Sequence, residues 1–258
     1  HSHMRIVDYR LGQYKLKCKI FDQLALTKKL RKVYTLVEKQ DSNSWRTVGF
    51  SKEAVLPGYF KNADGYLMSR VYDQKGDPIT GGLSKVNPKE GIEFPEPSPP
   101  RKKPNGLKYK MIFDTEKISK IMKHKDIHHI YNPYGQDMYH PKLILEARIR
   151  NRRLWVGGEI NTAFGHIKLD ILTAPKNKKE HKYLTWMLYI LMQELQQNYD
   201  MLSVFSFSDI RDKSVGQVLN DACLEQCGQL TCHLKDKKGD VTDAYVWHRK
   251  LQPNEVKP

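Results

Sequence analysis

The residues best equipped for chemistry lie in the second half of the chain. Ser206-Phe-Ser-Asp209 closes an apolar run with two hydroxyls and a carboxylate, and the carboxyl end of a strand is where open α/β sheets carry reactive groups. A carboxylate at Asp209 can position an amine or take its proton, with Ser206 and Ser208 beside it; the same residue type also caps helices. Tyr139 follows Tyr131 and Tyr134 in a stretch broken by Asn132-Pro-Tyr-Gly135, and such rings can stack on an extruded base. Arg148, Arg150, Arg152 and Arg153 form the densest positive cluster, suited to phosphate oxygens. A different chemistry attaches to His140-Pro-Lys142 with Asn161 downstream: a histidine nucleophile beside a phosphate-binding lysine cleaves phosphodiesters. His124 and His128 have the i, i+4 spacing of a metal-binding pair. Cys223 and Cys227 read as packed thiols, and no metal is assigned.

Such groups need a scaffold, and His166 to Lys250 supplies one. It reads as strand His166–Leu172, linker Thr173–Glu180, helix His181–Tyr199, strand Met201–Phe207, helix Ser214–Cys227 and hairpin Leu230–Lys250. In the first helix Leu184, Met187, Leu188, Leu191 and Leu195 share one stripe, the spacing of a packed helix. The second repeats the pattern through Val215, Val218, Leu219, Ala222, Cys223 and Cys227, with Gly228 as its stop. Strand–helix–strand–helix–hairpin is an α/β unit.

Upstream, Arg5–Lys19 reads as a strand leading into a helix over Phe21–Glu38, and Gly65–Val86 as a hairpin turning through Asp73-Gln-Lys-Gly-Asp77. Asn87–Gly106 carries six prolines and no core pattern, so it reads as an extended connector whose basic end, Arg101-Lys-Lys103, is either a polyanion contact or solvated charge, the second favoured. Phe113–Ile130 reads as a helix with Ile118, Ile121, Met122 and Ile127 inward. Leu143–Arg150 and Arg153–Ile160 read as a hairpin turned by Asn151-Arg152. Alternation then places Arg148, Arg150 and Arg152 on one face and Ile149 on the other. Residues 4–106 make an N-terminal α+β extension, and 107–250 the α/β domain.

The net charge of +15 is demanded by no fold; it argues for a polyanionic partner, nucleic acid and DNA first. No apolar run approaches the roughly 18 residues that span a bilayer, so no membrane is expected and cytoplasmic residence is the default. Four cysteines in 258 residues are too few for a disulfide scaffold. His1-Ser2-His3 before Met4 reads as a cloning scar.

From the arginine-rich hairpin onward the order of elements resembles the GNAT acyltransferase superfamily, and more narrowly the phage Mom-type DNA modification proteins. Glu180-His181 before the long helix, Ser206-Phe-Ser-Asp209, Gly216, Asn220, Ala222 and Gly228 carry the likeness. The resemblance implies a GNAT-like mixed sheet flanked by helices, with two parallel strands splaying to admit an acyl donor. It implies group transfer onto a base amine of a nucleic acid. Asp209, Ser206 and Ser208 would form the polar end of the cleft, with Tyr139, Tyr131 and Tyr134 as the base-facing wall and the four arginines as a phosphate clamp. Acyl-CoA is the donor this superfamily implies. Pro175-Lys-Asn-Lys-Lys-Glu-His181 contains no glycine, however, so it lacks the close backbone approach that a pyrophosphate turn offers, and the donor stays open. The His140, Lys142 and Asn161 set resembles phospholipase D-type nucleases, with Ala147 where their acid would stand seven residues after the histidine. A phosphodiesterase and a non-catalytic basic nucleic-acid-binding module stand as alternatives.

Overall fold

A computed structural model describes residues 3–6, 14–79, 93–127, 141–235 and 240–251. The first half runs β1 (His3–Arg5), α1 (Tyr14–Lys28), β2 (Lys32–Val37), α2 (Ser42–Thr47), β3 (Ser51–Leu56) and β4 (Gly65–Val71). Then come β5 (Tyr109–Ile112), α3 (Thr115–Met122), β6 (Lys142–Ile149), β7 (Arg152–Asn161) and β8 (His166–Ile171). The chain closes with α4 (Lys178–Tyr199), β9 (Ser203–Asp209), α5 (Lys213–Asp221), β10 (Glu225–Lys235) and β11 (Val241–Lys250). The described strands form a single mixed sheet in the order β1-β2-β4-β3-β10-β11-β9-β8-β7-β6-β5, flanked by helices as the sequence implies.

α4 is the organising helix. Asn177 caps it, its side chain accepting from the Lys179 and Glu180 amides, and Asp200 ends it in a left-handed conformation. Leu184, Met187, Leu188, Leu191 and Leu195 are all fully buried, each worth about 1.5–3 kcal/mol of transfer free energy. Their partners are Val156, Ile160, Ile167 and Leu169 on one face of the sheet. α3 covers the other face, where Ile118, Ile121 and Ile127 meet Ile144, Trp155 and Leu172. Met122 was expected inward but points outward, 38% exposed: this helix stops at Met122, and Ile127 reaches the core from the segment after it.

Several boundaries differ from those the sequence predicts: α1 already begins at Tyr14, inside the stretch expected as a strand, α4 at Lys178 and β10 at Glu225, and three further shifts follow from left-handed residues. The helix expected over Phe21–Glu38 is split, ending at Lys28, and Lys29 turns the chain with φ +51°. Lys32-Val-Tyr-Thr-Leu-Val37 then becomes a strand buried at every position, because its β-branched residues fit a pleated sheet covered on both sides. The helix expected over Ser214–Cys227 ends at Asp221. Cys223 adopts φ +61°, and Cys227 and Gly228 belong to β10, so Gly228 is no helix stop. The hairpin turn is Arg150-Asn151, one residue early, with Arg150 at φ +51° and Ile149 opposite Arg152. Of the hairpin expected over Gly65–Val86, the first strand is present and the turn is tied by Asp73, which accepts from the Lys75 and Asp77 amides. Its second arm beyond Ile79 lies outside the described residues.

The N-terminal half retraces the C-terminal half. β1 and β2 are parallel, with His3 opposite Lys32, as β8 and β9 are parallel, with His166 opposite Ser203. Each pair is joined through a helix, followed by a second helix and two antiparallel strands. The sheet order β1-β2-β4-β3 mirrors β8-β9-β11-β10, and the two runs meet where Ala54 faces Gly228 across β3 and β10.

A Cβ on Gly228 would lie 2.6 Å from the Ala54 Cβ and 3.1 Å from the Ala54 Cα, so only backbone movement can relieve it. Gly228→Ala is expected to lower the stability to urea by about 1–3 kcal/mol, and adding Ala54→Gly should restore most of it.

Candidate active site

β8 and β9 pair over four positions only, from His166↔Ser203 to Leu169↔Ser206. Beyond that point β8 stays with β7, Asp170 against Gly157 and Ile171 against Val156, while β9 stays with β11, Ser208 against Tyr245 and Asp209 against Ala244. The two parallel strands therefore fork. At the crotch Ser206 Oγ donates to the Leu169 carbonyl at 2.8 Å. Along the β9 limb the Trp247 indole donates to Ser208 Oγ at 2.8 Å. Both serines are 1% exposed and hold the fork's geometry. Asp209 ends that limb, held by Arg211 Nη2 at 2.7 Å and Nε at 3.0 Å, with Thr242 Oγ1 at 3.2 Å. Burial alone would raise its pKa, but the hydrogen bonds and charge of Arg211 outweigh it and leave the carboxyl below its ordinary value. Asp209 is thus buried and committed to Arg211 and Thr242.

On the helix side, the limbs open toward the α4 N-terminus. Pro175, Lys176, Asn177, Lys178, Lys182 and Ser214 line a cavity of about 440 Å³ there. Glu180 fastens this end: buried, it accepts from the Lys176 amide at 2.8 Å and from Arg152, which also donates to the Ala174 carbonyl at 2.7 Å. The lysines and the positive end of the helix dipole suit an anionic group. With no glycine in the turn, recognition rests on side-chain charge more than on close backbone approach.

The opposite face of the sheet carries a charged row that the sequence reading missed. Lys142, Glu159 and Lys168 are direct cross-strand neighbours on β6, β7 and β8. Glu159 lies 3.0 Å from Lys142 Nζ and 3.6 Å from Lys168 Nζ, and Lys168, 3% exposed at its side chain, donates to Asp170 at 2.8 Å. Burial raises the pKa of Glu159 against the opposing pull of Lys168 and Lys142. Asp170 is the first residue of β8 past the last β9 pairing, and its side chain is 25% exposed. The signal available was His166-Ile-Lys-Leu-Asp170, whose alternation reads as an ordinary solvated face.

The arginines do not act as one clamp. Shifting the turn by a residue reverses the expected parity. Arg148 stands opposite Arg153 on the α3 side, near Glu146, while Arg152 pairs with Ile149 on the α4 side. Arg152 is committed to Glu180 and half-buried; Arg148, Arg150 and Arg153 are exposed. The hairpin tip nevertheless stands beside the fork, because Arg152 ties it to the loop that begins α4. Tyr131, Tyr134, Tyr139, His128 and His140 lie outside the described residues. Lys142 is engaged by Glu159, and Asn161 forms a turn by accepting from the Phe164 amide. His124 packs edge-on to Trp155, and no cluster able to hold a metal is found among the described residues. None of the described helices is long and apolar enough to cross a membrane. Cys227 is half-buried in β10, its thiol pushed up to about 12 by burial.

No protein-family model and no curated protein matches the chain. Among solved structures it is similar to a spermidine N-acetyltransferase from Vibrio cholerae in complex with CoA and spermine, at 11% identity over 56% of this chain and 95% of that one, TM-score 0.42. It is also similar to the ribosomal-protein-S18-alanine N-acetyltransferase of Escherichia coli, at 9% identity over 58% of this chain and 99% of that one, TM-score 0.42.

Because the folded Asp209 has a depressed pKa, its pairing stabilises the protein above the unfolded value of about 4 and is lost as pH falls through the folded one. Asp209→Asn should destabilise the protein at neutral pH and flatten the acid limb of its stability curve. Equal pH slopes for the two proteins in urea titrations would contradict the assignment.

Proposed function

We propose that this protein transfers an acyl group to an amine. The observation that carries the reading is the fork past Leu169 and Ser206, with a capped, lysine-rich helix end on one side of the sheet and Asp170 on the other. A continuous sheet separates its two faces; a fork is where a donor held on one face can meet an acceptor approaching from the other. The cationic α4 end marks the donor's side. The Lys142–Glu159–Lys168–Asp170 row marks the acceptor's side.

An acyl thioester supplies a carbonyl carbon open to attack by nitrogen. The chain's part is to bring an amine to the fork and take its proton as the C–N bond forms, the thiolate leaving with the electrons of the C–S bond. Asp170 is the group suited to accept that proton, being ionisable, partly exposed and at the divergence itself. Lys168 is a positioning residue: its ammonium fixes the Asp170 carboxylate and neutralises part of the charge that Glu159 places beneath it. Ser206 ties the two strands at the crotch, and Trp247 draws the Ser208 limb toward β11.

The finer reading is that the amine belongs to a nucleic acid, on a base. It is supported by the net charge of +15 and by exposed Arg148, Arg150 and Arg153 on a hairpin tip tethered next to the fork. Phosphate contacts there would give binding that weakens with salt.

Purified protein given acetyl-CoA should acylate an amine, and nucleosides from treated DNA or RNA should show the acyl mass increment. Asp170→Asn should lower kcat by about 10²–10⁴-fold while leaving the donor KM unchanged, with a lower thermal melt because the buried Lys168 loses the charge of its 2.8 Å partner. Transfer to polyamines with unmodified nucleosides would refute the nucleic-acid target alone. No transfer to any amine would refute the function.

A further inference from the structure

From Glu93 on, the proline-rich segment expected to be an extended connector is bound down across the two helices; residues 87–92 lie outside the described residues. Phe94 stands edge-on to Trp247 with ring centroids 5.0 Å apart, and a Cβ on Gly216 would come within 2.6 Å of its ring, so glycine there makes the seat. Asn220 Nδ2 donates to the Pro95 carbonyl at 2.8 Å, and the Ser98 amide donates to Asp221 at 3.2 Å. At the far end the Tyr183 hydroxyl donates to the Asn105 carbonyl at 2.9 Å, and Leu107 is buried in the core. Between these anchors, Pro99, Pro100 and Pro104 restrict the backbone. Arg101-Lys-Lys103 is thereby held over the first turns of α4.

Beneath this strap is a cavity of about 490 Å³, lined by Arg101, Lys102, Lys103, Lys179 and Lys182; the Lys103 and Lys179 ammonium groups lie over the Tyr109 and Tyr183 rings at its edge. Asp221 is the one carboxylate in its lining, and it is taken by His181 at 2.7 Å, Gln217 and Ser98. Among the described residues no carboxylate pairs with Arg101, Lys102 or Lys182. Arg101, Lys102 and Lys182 gather at the cavity from segments far apart in sequence, with Lys103 and Lys179 at its edge, and such like charges repel one another unless an anion joins them. The cavity shares Lys182 and His181 with the one at the α4 N-terminus.

We propose that the strap cavity binds a phosphate-bearing nucleotide, with Arg101, Lys102 and Lys103 as phosphate ligands. The strap thus supplies the anion contacts that the glycine-free turn before α4 does not. That the nucleotide is the handle of the acyl donor rests on the function proposed above; the binding site itself does not. A bidentate arginine and two lysines suit a phosphate monoester or a diphosphate, and the Pro-stiffened backbone lowers the entropy cost of presenting them.

Calorimetric titration of the full chain with adenosine 3′,5′-bisphosphate, inorganic pyrophosphate and coenzyme A tests this directly. In Arg101→Ser/Lys102→Ser/Lys103→Ser, whose altered side chains are exposed, affinity for the bisphosphate should fall by about tenfold or more with the thermal melt unchanged. The slope of log affinity against log salt should also shrink. Affinities of wild type and variant within about twofold of each other would overturn the site, as would no binding of any of the three by the wild type. The acetyl-transfer assay separates the two ideas. Strap-dependent bisphosphate binding without acyl transfer leaves the site and removes the function. Acyl transfer with an unchanged acetyl-CoA KM in the strap variant leaves the function and removes the strap as the donor's handle.

Discussion

The parting of β8 and β9 is the constraint on which everything else in this protein depends. Two neighbouring parallel strands ordinarily continue as a ladder. Here each is drawn to a different outer partner, β7 on one side and β11 on the other, after only four shared positions. The bonds at the divergence are short-range and buried: a serine hydroxyl on the Leu169 carbonyl and an indole N–H on Ser208. Because buried polar groups must be paired, these contacts make the fork a stable feature of the fold.

Charge is sorted around that fork. On the α4 side, lysines gather at a helix end and beneath the strap with few carboxylates to answer them. On the α3 side, cations and carboxylates alternate across three strands and largely neutralise one another, leaving Asp170 as the carboxylate nearest the divergence. Arg152 and Glu180 link the arginine hairpin to the start of α4. A buried pair of this kind contributes little net stability when intact but is costly to break. Its role here is to fix the hairpin tip, the β8–α4 loop and the helix end relative to one another.

Much of the fold was legible in the sequence, and the reason is periodicity. The α4 stripe, the strand from His166, the strand ending in Asp209 and the paired strands around Asn151 all follow from 3.6- or 2-residue spacing. What failed is what periodicity does not encode. Left-handed residues at Lys29, Arg150 and Cys223 moved three boundaries with no glycine to announce them. The one-residue slip at Arg150 reversed the facing of the arginines. Lys168 and Asp170 were passed over because a charged residue on every second position resembles a solvent face, whereas here the β6–β8 register stacks them with Lys142 and Glu159. Prolines in the strap signal extended chain but not what the chain lies against; Gly216, Asn220 and Tyr183, distant in sequence, form its bed.

The central claim is that a donor lies between the two diverging strands. Its most direct test is a crystal structure of the protein with coenzyme A. The account predicts the thiol arm between Asp170–Ile171 and Phe207–Ser208, with the phosphates against the α4 end. Coenzyme A bound on another surface, with the strands beyond Leu169 and Ser206 untouched, would contradict it.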